Sequence, residues 1–129
     1  MEILIGIIIV AIGLGLAVIF LSKKSKLTKK DAKYIKSSWN KIQNMDPQKS
    51  ILEADKLLDF ILTKVGYKGT LGEKLKAAGS LFSDINGVWR AHKKRNILAH
   101  ELEANISKKE AEVLLKIFRK SFSDLGIKV

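Results

Sequence analysis

Apolar and polar positions along this chain follow two different patterns. Residues 3–21 pass without a single charge and are nearly all Ile, Leu, Val, Ala, Gly or Phe. Beyond position 22 the apolar residues recur at three- and four-residue intervals, the mark of helices with one buried face. As a helix the uncharged run measures about 28 Å, close to the ~30 Å hydrocarbon thickness of a bilayer. It lacks the polar face that a core helix of that length keeps. A cleaved signal peptide is the competing reading. Glu2 with no Lys or Arg ahead of the run, the length of the run and the lack of an A-x-A cleavage pattern speak against it. Residues 1–22 are therefore expected to form a single transmembrane anchor.

Five amphipathic segments follow. Thr28 with Asp31 three positions on reads as a capping-box variant and opens a helix over about 28–43, with Tyr34, Ile35, Trp39 and Ile42 on its apolar face. Asp46 as N-cap and Pro47 in the first helical position start a second, which keeps helical spacing from Ile51 to Val65 until Gly66 stops it. Thr70 and Glu73 cap a short third helix reaching Gly79. A fourth is expected from about Ser83–Asp84 to Glu103, with Ile85, Val88, Trp89, His92, Asn96, Ala99 and His100 along one stripe and Gly87 weakening its first turn. Ser107 and Glu110 cap the last, which carries Ala111, Leu114, Leu115, Phe118 and Phe122 towards Gly126. Trp39, Trp89, Phe60, Phe82, Phe118 and Phe122 fall at core-like spacing. No segment sustains period-two alternation. The expected fold is all-α: the anchor, then an antiparallel four- to five-helix bundle. Its divisions are an anchor over 1–22, a basic juxtamembrane segment with the first helix over 23–45, and the bundle over 46–129.

Charge sharpens the picture. All 24 Lys and Arg lie beyond the uncharged run, and the formal net charge is +11. Such an excess favours nucleic acid or a membrane surface as partner. Lys23, Lys24, Lys26, Lys29 and Lys30 flank the run on its C-terminal side, so the positive-inside rule puts the bundle in the cytoplasm and the N-terminus outside. The same lysines suit anionic lipid head groups. Gly6, Gly13 and Ala17 share nearly one face of the run, a small-residue pattern that lets two anchor helices approach. Cysteine is absent, so no disulfide framework and no thiolate metal site is expected.

Candidate chemistry gathers on the fourth helix, at Arg95-Asn96-Ile97-Leu98-Ala99-His100. A histidine can move protons near neutral pH, a guanidinium can stabilise charge on a phosphate, and an amide can orient either. On a regular helix Asn96 and His100 are about 40° apart, whereas Arg95 and His100 are about 140° apart. One straight helix does not aim all three at one point. Arg90, Lys93 and Lys94 form a basic cluster beside them, suited to RNA phosphates. His92 and His100 lie about 12 Å apart along the axis, too far to share a zinc, so no metal or other cofactor is expected.

The R-N-x-x-x-H pattern resembles the signature of the HEPN superfamily, small all-helical domains many of which are metal-independent ribonucleases. The resemblance spans about residues 47–126. It implies that Arg95, Asn96 and His100 are catalytic, that two copies complete the site between them as a homodimer, and that the product is a 2′,3′-cyclic phosphate. Toxin members often carry a tyrosine two positions after the histidine; here Leu102 stands there. The alternative function is a non-catalytic dimerisation, scaffolding or RNA-binding module at the membrane.

Overall fold

The computed structural model describes residues 27–129; residues 1–22, expected as an anchor, lie outside them together with Lys23, Lys24 and Lys26. The described residues form an all-helical bundle: α1 (Lys29–Ile42), α2 (Pro47–Val65), α3 (Leu71–Ala78), a 3-10 turn (Gly79–Leu81), α4 (Ile85–His100) and α5 (Lys108–Asp124). No strand occurs among them, and none of these helices is long and apolar enough to cross a membrane.

Local chemistry sets the helix starts. Thr28 Oγ1 accepts from Asp31 N at 3.1 Å while Thr28 N donates back to Asp31 Oδ2 at 3.1 Å, a reciprocal capping box. That backbone N–H holds the Asp31 carboxyl below its ordinary pKa, against a smaller opposing effect of burial. Thr70 and Glu73 repeat the box on α3. Asp46 caps α2 with Pro47 behind it, and Gly66, with φ 114°, ends it in the left-handed region that glycine enters without strain.

Helix α2 is the axis of the fold and packs against all four other helices. Its Ile51, Ala54, Leu58, Ile61 and Leu62 are fully buried among Phe118 and Phe122 of α5, Leu75 of α3 and Ala91 of α4. Helix α1 adds Ile35, Trp39 and Ile42 to the same core, and the Trp39 ring meets Phe122 edge-on with centroids 5.3 Å apart. Burying each such side chain contributes roughly 1.5–3 kcal/mol.

Helix α4 departs most from its expected form. It ends at His100, not near Glu103, because Glu101 is extended at φ −101° and ψ 127°. The turn brings Ala104 and Ile106 back onto the core; three more residues of helix would carry them past it. The buried face of α4 is Gly87, Val88, Ala91 and Leu98, so the stripe through Asn96 and His100 is its flank and not its core side. Gly87 has a local purpose. Its N–H donates to Asp84 Oδ1 at 3.0 Å, and a methyl group at position 87 would collide with that capping carboxylate.

Candidate functional site

Two helices build a closed polar ring. Asp55 of α2 is 4% exposed and occupies a core register, one turn from Ile51 and from Leu58. Its Oδ1 accepts from His92 Nδ1 at 2.9 Å. With Nδ1 committed to Asp55, the His92 ring turns Nε2 towards Asn96 Nδ2, a long 3.5 Å away. Asn96 Oδ1 in turn accepts from Arg95 Nη1 at 3.0 Å. Arg95 Nε, 3.4 Å from Asp55 Oδ2, closes the circuit. This last contact is an ion pair without hydrogen-bond geometry, since Arg95 Nε is buried and has no directed acceptor.

Burial dominates the electrostatics of Asp55. It raises the carboxyl above its ordinary pKa, and outweighs the opposite pull of the His92 hydrogen bond, the His92 charge and the Arg95 charge; Asp59 pushes in the same direction as burial. A second ion pair, between buried Lys74 and a half-exposed Asp59, lies on the α2–α3 side: Lys74 Nζ donates to Asp59 Oδ1 and to Thr63 Oγ1, each at 2.7 Å. Lys74 is thereby satisfied within the fold, and it has the geometry of a structural strut.

The motif residues thus take different parts. Arg95 and Asn96 are joined in the ring, together with His92, which the sequence places beside the motif. His100 is not brought to them. It is exposed in the last turn of α4, and among the described residues its side chain makes no hydrogen bond or ion pair. Asp55 is the member that sequence reasoning missed. It lies 37 residues from His92, and its signal was an acid in register with Ile51, Leu58 and Leu62 on an otherwise apolar face.

The basic cluster is brought together. Arg90, Lys93 and Lys94 line one groove of about 880 Å³ between α4 and α5, with Trp89, Ile97 and Val113. Trp89 was expected as packing; it is only partly buried, its ring 6.0 Å from that of His92, and it forms part of the groove wall. Ile97 and Val113 are 41% and 50% exposed there. Glu110 is the groove's acid, with its Oε1 3.6 Å from Lys94 Nζ. Such a surface offers cations for phosphates, an aromatic edge and apolar walls, but no enclosed catalytic pocket. Lys29 and Lys30 are exposed in the first turn of α1. No protein-family model matches the chain, and comparison with curated proteins and with solved structures finds no similar protein.

Proposed function

We propose that this chain is a membrane-tethered, HEPN-like module that acts on RNA in the cytoplasm as a dimer and cleaves it without a metal ion. One observation carries the reading: Arg90, Lys93 and Lys94 line a single groove on the same helix that bears Arg95, Asn96 and His100. A strand held by its phosphates along that groove runs beside the motif. In the proposed reaction a ribose 2′-hydroxyl attacks the adjacent phosphorus and the 5′-oxygen leaves, giving a 2′,3′-cyclic phosphate and a 5′-hydroxyl. His100 exchanges the proton, Arg95 stabilises charge on the phosphorane and Asn96 orients them. The open position of His100 suits a site completed by a second copy, and the exposed Ile97 and Leu102 on either side of it supply apolar surface for that contact.

A second reading rests on the ring itself. Arg95 is already engaged by Asp55 and Asn96, so within one copy it serves as a strut between α2 and α4. On that reading the domain binds or scaffolds and does not cleave.

Alanine at His100 or at Arg95 is expected to lower cleavage of an RNA panel by roughly 10²–10³-fold, the usual scale for proton transfer and charge stabilisation. Cleavage should persist in chelator and vanish on strands without the 2′-hydroxyl. Wild-type protein that is folded, dimeric by sedimentation and inert on the whole panel would establish the scaffold instead. Equal cleavage by wild type and the double variant would mark the activity as contamination.

A further inference from the structure

The outward face of α1 is unlike any other surface of the bundle. Lys29, Lys30, Lys33, Lys36 and Lys41 are all exposed, and with Ser37, Asn40 and Tyr34 they cover an arc of about 160° on a helical wheel. That arc holds no acid. The one carboxylate of α1, Asp31, points off it, bound in the N-terminal cap and 3.7 Å from Lys64 of α2. Among the described residues none of the five lysines pairs with a carboxylate. Elsewhere the charges are mixed: Lys56 meets Glu53 on α2, and Lys94 meets Glu110 across the groove. Tyr34 adds a half-exposed ring, packed against Phe60 with centroids 4.9 Å apart, and such amphipathic rings favour a membrane–water interface.

Chain length decides where this face must be. In the sequence only residues 22–28 separate the uncharged run from α1. Seven residues span at most about 25 Å even when fully extended. A bilayer holding residues 3–21 keeps the start of α1 within that distance of its surface. Five lysines on one face, each worth roughly a fivefold gain in adhesion to an anionic surface, then have their counter-charge at hand.

We propose that the lysine face of α1 lies on an anionic lipid bilayer and that this contact turns α4 away from the membrane. The second half follows from the packing. Helix α1 docks on the flank of α2 that carries Leu57, Phe60 and Lys64, whereas α4 meets Gln48 and Asp55. These two flanks are about 165° apart on the wheel of α2. With α1 down, the groove of Arg90, Lys93 and Lys94 opens on the far side. The inference rests on the anchored reading of residues 3–21 and is independent of RNA cleavage.

The full-length protein is reconstituted into vesicles of phosphatidylcholine alone or with one third phosphatidylserine, and lysine acetylation is followed residue by residue by mass spectrometry. Lys109 and Lys120, exposed on α5, serve as references. Labelling of Lys33, Lys36 and Lys41 should slow several-fold in the anionic vesicles only. It should recover at about 0.5 M salt, where the screening length falls to about 4 Å. Lys93 and Lys94 should label equally in both, and the K33E/K36E variant should lose the difference. Equal labelling of α1 in both vesicles, with the protein floating with both, would overturn the docking and leave the anchor intact. Failure to float with neutral vesicles would refute the anchor alone, because salt-sensitive protection by anionic vesicles would still uphold the docking. Protection of α1 that appears only when RNA is added would overturn the proposal and assign this face to nucleic acid.

Discussion

Asp55 is the residue on which His92 and Arg95 converge, and its replacement separates charge from hydrogen bonding. Asp55→Ala leaves His92 Nδ1 without its acceptor and Arg95 without its counter-ion, at an expected cost of about 3 kcal/mol. Asp55→Asn keeps an oxygen for His92 and should cost less. The pH dependence has a defined sign. Burial raises the native pKa of Asp55 above its ordinary 3.8, so the native state binds its proton more tightly than the unfolded chain does. The stability contributed by this titration is complete below the ordinary value and is lost as pH rises through the raised one. The stability advantage of wild type over Asp55→Asn should therefore be greatest below the ordinary 3.8 and shrink as pH rises above it. Denaturant melts across that range measure it, and an advantage that grows with pH would contradict the dominance of burial. His100→Ala, at an exposed position, should shift stability by no more than about 0.5 kcal/mol.

At the scale of the element, α4 shows why replacing a residue that weakens a helix need not stabilise it. Replacing glycine by alanine inside a helix normally stabilises it by about 1 kcal/mol. At Gly87 the added methyl would displace the Asp84 carboxylate that caps the helix, and losing such a cap costs about the same. Gly87→Ala should thus gain almost nothing in wild type but recover its full gain in an Asp84→Ala background. A double-mutant cycle by thermal melting should give a coupling of about 1 kcal/mol, and strict additivity would refute the account. The starts of α1, α2, α3 and α5 were legible because each cap is encoded within four residues. The end of α4 was not. No glycine marks it, and the chain turns after His100 because Ala104 and Ile106 have a core to reach.

For the molecule as a whole, a formal charge of +11 makes any anionic partner bind in a salt-dependent way. The groove cations test the proposed RNA partner. Each phosphate contact to a single strand contributes about 0.7 to the slope of log affinity against log salt, so replacing Arg90, Lys93 and Lys94 together with alanine should reduce that slope by about two. Filter binding with an uncleavable strand at several salt concentrations gives the number. An unchanged slope would place the RNA elsewhere on the surface. The same experiment with K33E/K36E should leave the slope unaltered if α1 serves the bilayer.

The sequence by itself determined where the helices start, since caps and apolar spacing act over three or four residues and need no distant partner. It also determined the candidate chemistry of α4 and the basic character of α1, because residue type and neighbour spacing are local. It could not decide what those side chains meet. His92 and Arg95 meet Asp55 only because α2 and α4 pack side by side, which brings together groups far apart in the chain. An unpaired acid at Asp55 would be costly to bury, so its partners had to come from another helix. His100 stays outside that ring because it sits two turns, about 12 Å, beyond His92 along α4. Which flank of α2 each neighbour takes, and so which way the groove opens, was likewise decided by how the apolar faces fill one core.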